Sequence, residues 1–264
     1  MFPYVEFTTI SLGPVTIYVW GLLVALGFIA GSLLLLKLGK EEKLDEKDVS
    51  SLFFWIFVAS MVGARLAYVL LFWSQYSSNP IEVFYVWDGG LVFLGGLLGA
   101  LPVGILFVRK RLTISFWRLA DLLAPALALG LTVGRCGCCL INDHPGSATD
   151  VPWGIEWPDG VVRHPVAQYL VVLNFVLLLL MLWARKKPLF HKIQGAVAWI
   201  YLLGYGVGRF VLDFTRAVDG AYADPRYAGL TISQYVSLVF VIVAVVLIIR
   251  NWKRISSLTT KDAR

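Results

Sequence analysis

Charge is scarce in this chain. Only 15% of its 264 residues are Asp, Glu, Lys or Arg against 58% hydrophobic, and the mean hydropathy is +0.75, which excludes a soluble globular domain of this length. The N-terminus lacks both a basic region and a small-residue cleavage site before the first apolar run, so no cleavable signal is expected. Histidine and cysteine number three each, and all the cysteines and two of the histidines fall in one stretch, 130–169. That stretch is the only long interval between apolar segments that is dense in reactive side chains. Any chemistry is expected to centre there.

What is abundant is apolar length. A helix needs about 20 mostly apolar residues to cross a bilayer, and seven segments are candidates: roughly 15–38, 51–73, 91–108, 119–134, 167–184, 195–212 and 232–250. The expected fold class is an all-α integral membrane protein of seven transmembrane helices. It forms a single domain, 1–264, with an outer-face loop 135–166 carrying the central motif.

Basic residues give the orientation, because short cytoplasmic loops carry the excess of Lys and Arg. Seventeen of the 23 fall at 37–47, 109–118, 185–192 and beyond 249, which are alternate loops. The N-terminus is therefore expected outside and the C-terminus in the cytoplasm. The formal charge of +6 follows from this bias and gives no reason to invoke nucleic acid.

Lysine is absent from the other side. The six remaining basic residues, Arg65, Arg135, Arg163, Arg209, Arg216 and Arg226, are all arginine. A guanidinium presents a rigid fork of donors that matches phosphate, whereas an ammonium is a compact hydrated charge. An arginine-only set near the outer leaflet points to phosphate recognition.

Three positions sharpen that reading. Arg209, Asp213 and Arg216 stand at i, i+4 and i+7, on one helical face with a net positive charge. Exposed to lipid they would be costly, so they either lock helices together as an ion cluster or bind an anion. Arg65 must likewise face the bundle interior or reach the headgroups, with Tyr68 on the same side at i+3. The glycines at 89, 90, 95, 96 and 99, Gly95 and Gly96 among them, allow close helix packing or room for a ligand.

In the central stretch, Gly134 and Gly137 bracket Arg135 and are expected to let the helix break and present the guanidinium. Cys136, Cys138 and Cys139 are too closely spaced for a tetrahedral metal site, so no metal is expected. A disulfide over so short a spacing is geometrically awkward. The remaining readings are a nucleophilic cysteine beside His144, or small packing residues in a tight turn. His144 and His164 are each either a general base or a loop cap.

Several stretches, in order, resemble the bacterial prolipoprotein diacylglyceryl transferases: SLGPVTIYVWGLLVALGF, GARLAYVL, VWDGGLVFLGGLLGA, APALALGLTVGRCG, PWGI, RHPVAQY and GYGVGRFVLDFTR. The resemblance spans nearly the whole chain. It implies a multi-pass enzyme of the bacterial cytoplasmic (inner) membrane that moves the diacylglyceryl group of phosphatidylglycerol to the lipobox cysteine in the signal peptide of a lipoprotein precursor. Glycerol phosphate is released and no cofactor is used. Membrane lipid and the precursor are the implied partners.

By the same resemblance, Arg135 and Arg209 match the principal functional arginines, and Asp213 and Arg216 match the acidic and basic residues that follow. Arg65, Tyr68, Gly95, Gly96, Arg163 and His164 are the further candidates for substrate binding, and Asp143 with His144 for proton transfer. The departures concern proton transfer more than phosphate binding. The family's histidine is Leu94 here, an asparagine is Cys138, a glutamate is at best Asp143, a tyrosine is Trp20, and a second glutamate is Leu170. Three functions therefore stand: a divergent transferase of this kind, a paralogous transferase with another acceptor or lipid, and a non-catalytic lipid-binding or transport protein.

Overall fold

The computed structural model describes residues 3–77, 79–85, 89–143, 145–219 and 223–262. Among them lie nine α-helices and six short strands. In chain order, β1 (Thr9–Leu12) and β2 (Val15–Tyr18) form a hairpin ahead of α1 (Val19–Glu41), α2 (Glu46–Leu71), α3 (Trp73–Tyr76), α4 (Phe93–Lys110) and α5 (Phe116–Leu140). Then come β3 (Ile155–Glu156), β4 (Val162–Arg163), α6 (Val166–Arg185), α7 (Pro188–Lys192), α8 (Ala196–Leu212), β5 (Arg226–Tyr227), β6 (Leu230–Thr231) and α9 (Ile232–Asp262).

The chain is mostly helical. Among the described residues, six helices are long and apolar enough to cross a membrane: α1, α2, α5, α6, α8 with its following turn, and α9. Large apolar side chains such as Leu70, Leu98 and Ile249 are exposed on them and on α4, as lipid-facing surfaces are. The third expected span, 91–108, corresponds to α4, an 18-residue helix with Pro102 inside it and Arg109 and Lys110 in its last turn.

Two expected boundaries are corrected. Residues 15–18 do not begin the first helix, because TISL and VTIY pair as antiparallel strands across a turn in which Gly13 has φ +62°. The expected break at Gly134 and Gly137 is absent, since α5 runs unbroken to Leu140. Those glycines instead let α1 approach: a Cβ at Gly137 would stand 3.2 Å from Trp20 Cα, and one at Gly130 3.1 Å from the Gly27 carbonyl.

The chain divides into two compact units, 1–34 with 120–264, and 35–119. In the first, Ala124 and Ala128 of α5, Leu177, Leu178 and Met181 of α6, and Val197, Ala198 and Tyr201 of α8 form the core. Asn174 and Asp121, buried beside it, are paired. Tyr201 donates to Asn174 Oδ1 (3.0 Å), and Asp121 accepts from the backbone N–H groups of Gly195 (2.7 Å) and Ala198 (3.0 Å), capping α8 from α5.

In the second unit α2 and α4 pack face to face through small residues. A Cβ at Gly95 or Gly99 would collide with the backbone carbonyl of Gly63 or Ala59, and one at Gly63 with that of Gly95. Glycine is needed here so that the two backbones can touch. On the cytoplasm-expected side of this unit, Arg118 grips Glu42 with two hydrogen bonds (3.0 and 2.6 Å).

Candidate functional site

The polar centre of the first unit is built where α8 ends and α9 begins. Arg209 lies in the last turn of α8, and after Leu212 the chain tightens into a 3-10 turn, Asp213–Thr215. Asp213 has no exposure, and its Oδ1 meets Arg209 Nη2 at 3.0 Å and Arg216 Nη1 at 3.7 Å. The face expected from the i, i+4, i+7 spacing therefore forms, although the helix itself has ended before Arg216. Arg216 is also gripped by Asp224, 2.5 Å from its Nε. Two carboxylates thus match two guanidinium groups, and the expected net positive charge of the trio is cancelled by Asp224.

The surplus cation is Arg135. It sits in the last turns of α5, half-buried, with a weak N–H···S hydrogen bond to Cys138 (3.8 Å). Among the described residues no carboxylate pairs with it. Its field, like that of Arg216, reaches the Arg209 guanidinium. Arg209 is itself 6% exposed, and its Nη1 has no hydrogen-bond partner. A buried donor left open is costly, about 1–3 kcal/mol, and such a group is where an anionic ligand gains most.

Sequence reasoning missed the residues that hold Asp213 from the other side. Thr231 and Gln234 form a capping box at the start of α9: Thr231 Oγ1 accepts from Gln234 N (3.2 Å) and Gln234 Oε1 accepts from Thr231 N (3.0 Å). With Oγ1 already accepting, the Thr231 hydroxyl donates to Asp213 Oδ2, and Ser233 donates to the same oxygen at 2.6 Å. Ser233 Oγ also accepts from Arg209 Nη2 at 3.4 Å. The signal was in the sequence, since T-x-x-Q before an apolar run marks a helix start.

The loop after α5 is laid down as an added strand. Ser147 N donates to Thr215 O (2.8 Å), Ala217 N to Pro145 O (3.1 Å), His164 N to Ser147 O (3.1 Å) and Thr149 N to Val162 O (2.9 Å). Residues 145–149 therefore lie between 162–164 and 215–217, with Gly146 so close to His164 that a Cβ would collide. Asp143 is half-buried just before this strand, its N–H closing the helix end on Cys138 O (3.0 Å). His144 lies outside the described residues.

Arg163 is committed to this platform. Only 3% exposed, it pairs with both oxygens of Asp219 (3.0 and 2.8 Å), with Asp159 (3.0 Å) and with the Gly146 carbonyl (3.3 Å). The Asp219 carboxyl is held below the usual carboxylate range by Arg163; that of Asp159 is lowered first by the Val161 N–H and then by Arg163. These ion pairs fasten the loop and leave little of the guanidinium for a phosphate.

His164 belongs to a relay. Trp153 Nε1, which can only donate, bonds Tyr169 Oη at 2.7 Å, and Tyr169 Oη is hydrogen-bonded in turn with His164 Nδ1 at 3.1 Å. Burial lowers the imidazole pKa and favours the neutral ring.

Arg65, Tyr68, Gly95 and Gly96 belong to the second unit. Arg65 gives its Nε to Val83 O (2.8 Å), Nη1 to Gly89 O (2.6 Å) and Gly90 O (3.2 Å), and Nη2 to Glu82 O (2.6 Å). The carbonyls are turned toward it by Gly89 and Gly90, whose φ values of +86° and +74° suit only glycine. Tyr68 flanks the same Gly90, on the side of α2 that its i+3 spacing predicts. Arg65 is thus the anchor of its loop. Gly95 and Gly96 face α2, and Leu94 beside them is 42% exposed.

The cysteines are free thiols in helical backbone, not in a tight turn. Cys136 donates to Thr132 O (3.3 Å). No group of three metal-ligating side chains occurs among the described residues.

The profile described as prolipoprotein diacylglyceryl transferase matches residues 8–250. The chain is 34% identical over 253 residues to the phosphatidylglycerol–prolipoprotein diacylglyceryl transferase of Bordetella bronchiseptica, covering 91% of this chain and 93% of that one. With the protein of the same name from Geobacter sulfurreducens the identity is 36% over 243 residues, covering 88% and 91%. With that from Pseudomonas aeruginosa it is 31% over 261 residues, covering 96% of each. Matched along nearly its whole length by profile and relatives alike, the chain belongs to the prolipoprotein diacylglyceryl transferase family.

Proposed function

We propose that this chain transfers the diacylglyceryl group of phosphatidylglycerol to the cysteine thiol in the signal peptide of a lipoprotein precursor. The observation that carries the reading is Arg209, almost fully buried, ion-paired on Nη2 and open on Nη1. In this reading the phosphate of the lipid lies against Nη1 with the unpaired Arg135 as its second cation. Sulfur attacks the terminal glycerol carbon of the diacylglyceryl group, the carbon–oxygen bond to phosphate breaks, and glycerol phosphate departs carrying the electron pair. Arg135 and Arg209 stabilise the charge that develops on the leaving phosphate. No cofactor enters.

The thiol must also lose its proton. A free cysteine has a pKa of about 8.5, which neighbouring positive charge lowers, so the Arg135 and Arg209 field promotes thiolate formation. Asp143 and His144 are the proposed proton acceptors, with Asp143 orienting the imidazole. His164 is the less suited histidine, since Tyr169 occupies its Nδ1.

The same reading sets the chain in the bacterial inner membrane as seven spans, with α4 as the third. The N-terminus lies outside, the C-terminus in the cytoplasm, and the loop 135–166 at the outer face of a single membrane domain. The distribution of lysine and arginine supports it.

Leu94, at the position of the family's histidine, favours a second reading, a phospholipid-binding protein without transfer activity. The two separate when purified protein is incubated with phosphatidylglycerol and a lipobox peptide. Transfer yields a thioether-linked diacylglyceryl peptide and glycerol phosphate in equal amounts. Lipid binding with neither product would overturn the transferase reading.

A further inference from the structure

We infer that Thr231 and Ser233 are positioning residues that keep Arg209 open for the lipid phosphate by occupying the second oxygen of Asp213. The inference rests on the phosphate-binding role proposed for Arg209. A carboxylate beside a guanidinium closes into a two-pronged pair when both of its oxygens are available. Such a pair at Asp213 would consume Nη1 as well as Nη2.

The geometry prevents that closure. Asp213 Oδ2 takes hydrogen bonds from the Thr231 hydroxyl and from Ser233 Oγ (2.6 Å), so that only Oδ1 faces Arg209, at 3.0 Å from Nη2. Both hydroxyl protons are directed. A carboxylate only accepts, so each O–H is the donor to Oδ2; Thr231 Oγ1 also accepts from Gln234 N, Ser233 Oγ accepts from Arg209 Nη2 (3.4 Å), and the two hydroxyl oxygens lie 3.1 Å apart. Gln234 Nε2 in turn bonds Phe210 O (3.2 Å), fixing the start of α9 against the end of α8. The result is a buried guanidinium with one paired and one open nitrogen.

Without the hydroxyls, Oδ2 is released to accept from a guanidinium, and Arg209, at 3.0 Å against 3.7 Å for Arg216, is the nearer, so the carboxylate turns until that pair is two-pronged. Phosphate then competes with an internal anion for the same nitrogen. The loss appears in lipid affinity and extends to the chemical step that the same nitrogen supports.

The test uses full-length protein in detergent micelles and dihexanoyl phosphatidylglycerol as the soluble probe, with its Kd measured by calorimetry and its KM and kcat by transfer to a lipobox peptide. Ser233→Ala combined with Thr231→Val is expected to raise Kd and KM by about tenfold or more and to lower kcat with them. Thr231→Ser, which keeps the hydroxyl and the cap, is expected to bind like the parent. Should the double variant fail to fold, Ser233→Ala alone, at a half-buried position, is expected to raise Kd in the same direction. Folded variants that bind the probe with parental Kd overturn the inference. A parent that binds the probe but transfers nothing defeats the proposed activity, while the comparison of Kd values still decides the role of the hydroxyls.

Discussion

Asp213 holds Arg209 at 3.0 Å and Arg216 at 3.7 Å with a single carboxylate oxygen, inside a region closed to solvent. One anion therefore keeps two guanidinium groups from repelling each other, and removing it leaves both cations buried. Breaking a buried pair by deleting one partner costs about 3–5 kcal/mol. Asp213→Ala is expected to lower the thermal midpoint in detergent by several degrees, with Asp213→Asn lying between it and the parent. An unchanged midpoint in Asp213→Ala would show that the cluster contributes nothing to stability.

The platform around Arg163 has its own pH dependence. Asp159 and Asp219 have folded pKa values below their unfolded value of about 3.9. The stabilisation from their contacts with Arg163 is therefore fully present above about pH 4 and is lost as pH falls through the depressed folded values. Both carboxylates are about half exposed, so added salt weakens the effect. Thermal unfolding followed from pH 6 to pH 3 should show a fall at the acid end that is shallower in Asp159→Asn/Asp219→Asn. Equal acid sensitivity in the two proteins would remove these pairs from the account.

Gly95 and Gly96 separate packing from ligand space. A Cβ at Gly95 meets the Gly63 carbonyl and Ala67, whereas one at Gly96 stands 3.3 Å from the nearest atom, Ser60 O. Gly95→Ala is expected to destabilise the protein by about 1–3 kcal/mol through overpacking, and Gly96→Ala by less. Detergent melting curves check the order. Gly95→Ala folded with parental stability but deficient in lipid binding would return Gly95 to the list of ligand contacts.

Much of the fold was legible because lipid imposes length. A run of about 20 apolar residues has few alternatives to a helix, so α2, α6 and α9 fall close to the expected 51–73, 167–184 and 232–250. The Arg209–Asp213–Arg216 cluster was legible for a similar reason, as its spacing survives the change from α8 to the 3-10 turn. The glycines of α5 were misjudged. Gly134 and Gly137 look like helix breakers in isolation, yet their use is to admit α1, a contact that no local pattern encodes.

Arginine roles were the least legible part. Arg163 finds Asp219 at a separation of 56 residues, and Arg65 finds backbone carbonyls of a loop whose glycines alone can turn them. Both were candidates for phosphate because composition cannot tell a committed guanidinium from an open one. Which nitrogens are engaged does: both terminal nitrogens of Arg163 and all three nitrogens of Arg65 are hydrogen-bonded, with only Arg163 Nε left over, whereas Arg209 keeps a terminal nitrogen, Nη1, open.

The most direct measurement is the diacylglyceryl transfer rate of Arg209→Lys beside Arg209→Ala. An ammonium cannot span Asp213 and a lipid phosphate as two edges of one planar fork. The account predicts that Arg209→Lys loses about 100-fold or more in kcat/KM, on the order of 3 kcal/mol of transition-state stabilisation, and falls within about tenfold of Arg209→Ala. A lysine variant that transfers the diacylglyceryl group at the parental rate would contradict it.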